Sequence, residues 1–283
     1  MKRETPLRER LFIDNSTGKS LDYSKWCAHN KLFDLLSVEA DKFDEKDIKT
    51  KAEHGLYDSF RTDIPYPPEF DDLTRLHFIA RNRRATTILE FGCGKSTIVF
   101  ADALKQNKQE YGSFVSSNLR RANPFELHSV DQSREWIMKC KEHLPKSLNP
   151  LVQFHFSPVA MSTFEGRACT FYDHIPNICP DIIYLDGPDQ FNVAGDVHGV
   201  STRTTDRLPM SADILLMEHF LLPGSLILVD GRTANARFLK CNLQREWDYC
   251  HLEEEDIHAF ELVEKPLGKI NRKQIDFMHG IVG

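Results

Sequence analysis

An acid and two glycines, one residue apart, follow an apolar run near the first third of the chain. The β-branched and apolar residues 86–89 lead into Glu90, Gly92 and Gly94, and helix-favouring polar residues come next. This pattern predicts a buried strand that turns sharply into a helix. Glycines let a backbone approach a ligand that a Cβ would exclude, and the amide groups at the start of the helix face the same crevice. We therefore expect this turn to bind a cofactor.

The motif differs from two familiar nucleotide-binding loops. A P-loop requires a glycine five residues before Gly94, where this chain has Leu89. The dinucleotide fingerprint requires a third glycine at position 97, where this chain has Thr97. A dinucleotide site stays open as the second interpretation. A third is a glycine turn that joins strand and helix and binds no ligand.

Three further apolar runs end in an acid. Residues 125–131 end in Asp131, residues 180–186 in Asp186 and residues 223–230 in Asp230. Because neighbouring parallel strands end at the same edge of a sheet, these acids and Glu90 are expected to converge around the glycine turn. A carboxylate at position 131 could accept hydrogen bonds from both hydroxyls of a ribose, and it could equally cap the helix that follows.

The order of these segments resembles the class I S-adenosylmethionine-dependent methyltransferases over about residues 70 to 265. The resemblance depends on the Glu90-x-Gly92-x-Gly94 turn, the strand that ends in Asp131, and the strand ends Leu-Asp-Gly-Pro and Leu-Val-Asp. It implies an α/β fold with a Rossmann-like, doubly wound, mostly parallel sheet of seven strands. Residues 247–253 and 259–264 are similar to the antiparallel hairpin that closes the family's sheet. S-adenosyl-L-methionine is the implied cofactor.

The resemblance also implies which residues bind the cofactor. Ser96 stands where the family usually has its third glycine, and residues 158–160 follow the third strand at the place where the adenine usually lies. The cofactor-binding residues implied in this way are Glu90, Phe91, Gly92, Cys93, Gly94, Ser96, Thr97, Asp131, Val159, Ala160 and Asp186.

A hydroxyl acceptor would require a base within hydrogen-bond reach, because the cofactor already carries an activated methyl group. Asp186 is the best-placed candidate, with Asp189 and His198 as further candidates. His198 belongs to the loop at residues 188–211, which is suited to substrate binding. An exposed loop histidine without a role is the competing interpretation of this residue.

Some methyltransferases of this class hold Mg²⁺ between acids at the ends of two neighbouring strands. Asp186 and Asp230 match those positions, and carboxylate oxygens suit a hard cation that could orient an acceptor. The third ligand of such a site usually follows the later acid directly, where this chain has Gly231. Mg²⁺ is therefore a possible second cofactor.

Composition limits the class of protein. The 283 residues carry a formal net charge of -6, which argues against a general nucleic-acid binder. Seven scattered cysteines without a C-x-x-C pair indicate neither a disulfide framework nor a zinc site. The charged N-terminus and the lack of a long apolar run lead us to expect a cytoplasmic enzyme with no membrane span.

Residues 1–70 are predicted to form a helical or irregular N-terminal extension to a methyltransferase-like domain at residues 71–283. Apolar positions from Leu32 to Val38 are spaced for one amphipathic helix, and three prolines at residues 65–68 mark the boundary. His77 lies in the helix predicted before the first strand, where we expect it to pack rather than to bind a ligand.

Three segments outside the motifs carry weaker predictions. Residues 105–123 are expected to form a polar loop with a short strand at 111–116. Residues 167–172 are expected to form an extra strand, and residues 212–222 a helix that joins two parallel strands.

Taken together, the sequence predicts an S-adenosylmethionine-dependent methyltransferase that acts on a hydroxyl of a sugar or another small molecule. The loose similarity is to methyltransferases that modify polysaccharides and small molecules, so a small-molecule or saccharide substrate is expected. The alternatives are a nicotinamide-dependent oxidoreductase on a Rossmann fold and a non-catalytic module that binds a cofactor or a partner.

Overall fold

The computed structural model describes residues 5–37, 69–204, 206 and 208–283. The predicted boundary at residues 65–68 and the end of the predicted helix at Val38 lie outside these residues. Within these residues, two short 3₁₀ helices, Asn149–Leu151 and Glu218–Phe220, accompany the α-helices and strands. The α-helices are α1 Leu7–Phe12, α2 Tyr23–His29, α3 Leu32–Leu35, α4 Phe70–Asn82, α5 Lys95–Asn118, α6 Arg134–His143, α7 Asp213–Met217, α8 Thr233–Asn242 and α9 Lys269–Met278. The strands are β1 Thr87–Phe91, β2 Glu126–Asp131, β3 Val152–Phe156, β4 Val159–Phe164, β5 Arg167–Tyr172, β6 Ile182–Leu185, β7 Val193–Ala194, β8 Leu226–Asp230, β9 Trp247–Leu252 and β10 Ile257–Leu262.

Seven strands form one sheet in the order β3-β2-β1-β6-β8-β10-β9. The first five are parallel, and β10 runs antiparallel to both β8 and β9. From β1 the chain proceeds outward through β2 and β3, then returns to the other side of β1 at β6. The predicted fold class, a doubly wound Rossmann-like sheet closed by an antiparallel hairpin, is confirmed. Such a sheet has a crevice where the direction of winding reverses, here between β1 and β6.

Both faces of the sheet are buried, which explains why its central strands are apolar without interruption. Ile88 and Tyr184 belong to a core that includes residues of α4 and α5. The alternate residues Leu89 and Ile183 belong to a second core with residues of α7 and α8. The two-residue period of the strands therefore divides the apolar side chains between two helical layers.

The described part of the N-terminal region is helical and packs against the same core. Leu7 and Leu11 of α1 are buried with the residues around Ile88. The indole Nε1 of Trp26 in α2 donates to Nδ1 of His77, 3.0 Å away. His77 is fully buried, so the prediction that it packs is confirmed. The predicted helix from Leu32 is α3, which ends after four residues.

Two local predictions were wrong. Residues 105–118 continue α5 as a helix, and no strand forms at 111–116, because Tyr111 and Phe114 pack against Phe277 of α9. Only α7 and a 3₁₀ turn occupy residues 213–220, which is shorter than the predicted helix. Pro223 cannot continue a helix, and it disfavours helical geometry at the residue before it.

The extra strand predicted at residues 167–172 is confirmed as β5. It forms a hairpin with β4, and β7 pairs with the other edge of β4 to give a small sheet of three strands. Val159 and Ala160, which the resemblance implies as cofactor-binding residues after the third strand, therefore begin a strand of this small sheet. All seven cysteines carry free thiols. No helix within the described ranges combines the length and the apolar character that a membrane span needs.

Candidate functional site

The four predicted acids lie at one edge of the sheet. Strand register pairs Phe91 with Val130 on one side and with Leu185 on the other, and Leu185 pairs with Val229. Asp131, Asp186 and Asp230 each follow these paired residues by one position, and Glu90 precedes Phe91. The acids therefore surround the point where the winding of the sheet reverses, as the sequence predicts.

Glu90 is fully buried and holds the start of α5 against the sheet. Its carboxylate accepts hydrogen bonds from Ser96 Oγ at 2.6 Å, Thr97 Oγ1 at 2.6 Å and Ser129 Oγ at 2.7 Å. Burial raises the pKa of Glu90 to about 7, and the three hydroxyl donors oppose that rise. Ser96 and Thr97, which the resemblance implies as cofactor-binding residues, thus both bind Glu90. We propose that the three side chains support cofactor binding by fixing the shape of the loop.

The two glycines of the loop differ in their surroundings. Gly92 has a φ of +91°, and a Cβ there would lie 3.1 Å from the backbone nitrogen of Gly187. Gly92 is therefore required by the close approach of two backbone segments. A Cβ at Gly94 would meet no heavy atom within 4 Å. Gly94 is thus the glycine that leaves open space beside the loop.

Asp131 joins this loop to the end of β2. Its Oδ2 accepts from the backbone N–H of Cys93 at 3.1 Å, and its Oδ1 accepts from that of Ser133 at 2.7 Å. Burial raises the pKa of Asp131. The cap of α6 is Ser133, whose hydroxyl accepts from the N–H of Trp136, so the capping interpretation of Asp131 was wrong. Each oxygen of Asp131 accepts one backbone bond and retains a lone pair for a further donor.

Side chains of α6 hold the loop from its outer side. Trp136 Nε1 donates to the carbonyl of Cys93 at 2.6 Å, and the thiol of Cys140 lies 3.5 Å from the carbonyl of Gly94. A hydrogen bond with Cys140, with burial as a further cause, raises the pKa of the Cys93 thiol far above its usual range. Phe91 is buried beneath the loop with its ring centroid 5.3 Å from that of Tyr172. These contacts give the loop one defined shape.

Asp186 is the accessible acid of the crevice, with 53% of its side chain exposed. Arg232 Nε lies 3.9 Å from Asp186 Oδ1. Desolvation by the surrounding residues raises the pKa of Asp186. The positive charge of Arg232 opposes this rise, and the negative charges of Glu90 and Asp131 add to it. Solvent around the exposed half weakens each of these effects.

Asp230 accepts a hydrogen bond of 2.6 Å from the hydroxyl of Tyr184. Burial raises its pKa, and the nearby charges of Asp186 and Asp72 raise it further. Among residues 5–37, 69–204, 206 and 208–283, no three His, Cys, Asp or Glu side chains are grouped so that they could hold a metal ion. Asp186 and Asp230 alone therefore do not fit a Mg²⁺ site.

The remaining predicted residues lie away from the open space or are engaged elsewhere. The carboxylate of Asp189 binds Asn192 Nδ2 and the backbone N–H of Phe191 within its own loop. His198 is exposed in a turn, and within the described residues no hydrogen bond or ion pair joins it to the crevice. Val159 is buried in the core beside β5, whereas Ala160 is exposed.

Sequence reasoning missed three residues at this edge. The hydroxyl of Tyr172 lies 2.6 Å from the place that a Cβ on Gly187 would occupy. Gln132 and Arg232 each bind a carbonyl of the segment after β6. The positions of Gln132 one residue after Asp131 and of Arg232 two residues after Asp230 were a usable signal. Tyr172 lies at the end of a strand outside the main sheet, and no motif marks it.

The fold and the edge residues define a Rossmann-like α/β protein with a crevice at the reversal point of its sheet, as the resemblance to class I methyltransferases implies. No known family model matches the chain, and a search of curated proteins finds no match. Among solved structures, the chain is similar to the O-methyltransferase TomG from Streptomyces achromogenes, involved in tomaymycin synthesis and solved with SAM, at 16% identity and a TM-score of 0.39. It is also similar to the SAH-bound methyltransferase PaMTH1 of Podospora anserina, at 12% identity and a TM-score of 0.43. Each alignment covers 87% of this chain and 100% of the other. At these values the likeness does not decide what this chain does.

Proposed function

We propose that this chain is an S-adenosylmethionine-dependent methyltransferase that methylates a hydroxyl of a sugar or another small molecule. One observation carries the proposal. The open space beside Gly94 and the anchored carboxylate of Asp131 lie together where the winding of the sheet reverses.

The residues present suit this cofactor. The backbone at Gly94 leaves room for a ligand to approach, and Asp131 can accept hydrogen bonds from ribose hydroxyls. The acidic side chains at the strand ends favour a positively charged ligand over an anionic one. When bound, the cofactor supplies an activated methyl group on a cationic sulfur. The nicotinamide alternative is less well supported, because Thr97 replaces the third glycine and binds Glu90.

Asp186 is the proposed base. It is the accessible acid of the crevice, and its carboxylate can accept the proton of an acceptor hydroxyl during methyl transfer. Arg232 lies beside it and partly neutralises the charge of the neighbouring acids. The proposal includes no metal ion. Full activity after dialysis against a chelator is the expected result, and activity restored only by Mg²⁺ would contradict it.

Calorimetric titration with S-adenosylhomocysteine, NAD and ATP tests the cofactor. We expect binding of S-adenosylhomocysteine alone. Binding of NAD without S-adenosylhomocysteine would instead support the oxidoreductase. Transfer of a labelled methyl group to a panel of sugars then tests catalysis, and cofactor binding without transfer to any acceptor would favour the non-catalytic module.

A further inference from the structure

Two side chains reach one peptide segment from opposite sides of the crevice. Gln132, directly after β2, donates from Nε2 to the carbonyl of Asp189 at 3.0 Å. Arg232, two residues after β8, donates from Nη2 to the carbonyl of Pro188 at 2.8 Å. Because β2 and β8 lie on either side of the central pair β1 and β6, the segment Pro188–Asp189 is fastened from both sides across the reversal point.

This segment begins a loop that is connected within itself. Gln190 Nε2 donates to the carbonyl of Thr204 at 2.8 Å, and Thr202 Oγ1 donates to the carbonyl of Gln190 at 2.8 Å. Arg203 Nη1 donates to the carbonyl of Val193 at 2.9 Å. The loop at residues 188–204 is thus held together internally, and the bonds from Gln132 and Arg232 tie its base to the sheet edge.

Gln132 and Arg232 each have a polar side-chain atom that takes no part in these hydrogen bonds. Gln132 Oε1 and Arg232 Nη1 are buried, and neither has a hydrogen-bond partner among the residues that the structure describes. Buried polar atoms without partners are few in proteins and costly. Unpaired atoms at the base of a crevice suit side chains whose bonding is completed by a ligand or by a movement of the loop.

We propose that Gln132 and Arg232 are positioning residues that fasten the segment Pro188–Asp189 and so hold Asp186 and the 188–204 loop in place over the bound cofactor. This inference rests on the proposed function. It assigns neither side chain a chemical step. It predicts that loss of either hydrogen bond to the segment weakens cofactor binding and lowers the rate at which the acceptor is methylated.

A matched pair of glutamine variants tests the proposal. Gln132→Leu removes the bond across the crevice, and Gln190→Leu removes a similar glutamine-to-carbonyl bond inside the loop. In stopped-flow displacement of S-adenosylhomocysteine, we expect Q132L to release the ligand about five to twentyfold faster than wild type, and Q190L to stay within about twofold. Equal effects of the two variants would overturn the proposal. Should Q132L not fold, Q132E replaces it, because Glu keeps the size and lacks the donor.

Arg232 gives a second comparison with a rescue. Arg232→Leu is expected to lower kcat for the acceptor more than it raises KM, because a misplaced base affects the chemical step. Arg232→Lys should recover part of kcat, since an ammonium can still donate to the carbonyl of Pro188. Identical kcat values for R232K and R232L would contradict a role in positioning.

Hydrogen exchange of the ligand-free protein separates this proposal from the proposed function. We expect amides of residues 189–200 to exchange faster in Q132L than in wild type or in Q190L. If the protein binds no S-adenosylhomocysteine, the proposed function fails while this comparison still tests the fastening. Unchanged exchange in Q132L would show that the segment needs no such bond.

Discussion

Glu90 combines complete burial with three hydroxyl donors, and its ionisation is therefore linked to folding. Its folded pKa of about 7 lies above the ordinary value of 4.5, so the folded state binds a proton that the unfolded state releases. This contribution to the free energy of unfolding is complete below about pH 4.5 and is lost as the pH rises through 7. We expect it to be on the order of 3 kcal/mol.

Glu90→Gln tests this linkage, because glutamine is neutral at every pH and keeps the size of the side chain. Urea unfolding between pH 5 and 8 should show a weaker loss of stability with rising pH in E90Q than in wild type. Glu135→Gln, at an exposed acid of α6, is the control and should keep the wild-type slope. If E90Q kept the wild-type slope of stability against pH, the group that titrates in this range would be a residue other than Glu90.

Asp186, Asp189 and His198 are the three candidate bases, and their surroundings separate them. Asp186→Asn should lower kcat by roughly 10²- to 10⁴-fold, the usual effect of a general base. Asp189→Asn and His198→Ala should change kcat far less, because the first side chain is engaged in its own loop and the second is exposed in a turn. A larger loss of kcat in H198A than in D186N would reverse the assignment.

Two glycines of the loop between β1 and α5 are expected to affect different properties. Gly92 should affect the stability of the fold, and Gly94 should affect ligand binding. Gly92→Ala should cost about 1–3 kcal/mol of stability, because φ is +91° and a Cβ would press against the backbone of Gly187. Gly94→Ala should leave the unfolding midpoint nearly unchanged but weaken S-adenosylhomocysteine binding about tenfold or more, since its Cβ would enter the open space. Calorimetry and thermal unfolding of both variants test this contrast. Unchanged affinity in G94A would mean that the ligand lies elsewhere.

The second half of α5 depends on α9 for its helical state. Phe277 is fully buried, with its ring stacked on Phe114 at 5.4 Å and edge-on to Tyr111 at 5.5 Å. Phe277→Ala should cost about 3–5 kcal/mol, with faster hydrogen exchange at residues 111–118. Ile270→Ala, at a position of α9 that is 57% exposed, should change stability by less than about 0.5 kcal/mol. Similar losses in both variants would contradict this dependence.

Across the whole molecule, the features predicted from sequence are those encoded by neighbours in the chain. Each central strand is an apolar run that ends in an acid, so Asp131, Asp186 and Asp230 could be placed at one edge from sequence alone. Features created by distant partners could not. The polar stretch after residue 105 is helical because α9 covers it, and α9 itself carries no motif. Tyr172 reaches this edge only because the β4–β5 hairpin brings its hydroxyl beside Gly187 and its ring beside Phe91.

Ion pairs between distant parts of the chain join the N-terminal region to the closing hairpin. Arg10 of α1 forms ion pairs with Asp248 of β9 at 2.7 Å and with Glu261 of β10 at 2.8 Å. Glu261 is fully buried, and Arg83 at 3.2 Å is a further cation beside it. Removing one partner of a buried ion pair is strongly destabilising, because it leaves a charge in the interior without full compensation.

Arg10→Ala should therefore lower the free energy of unfolding by about 3–5 kcal/mol, measured by urea denaturation. Arg8→Ala is the matched control from the same helix. The Arg8 side chain is 54% exposed and lies 4.0 Å from Glu255, so its loss should cost less than about 1 kcal/mol. Similar values for R10A and R8A would show that α1 contributes to stability through its apolar face alone, and that the hairpin does not need the N-terminal cation.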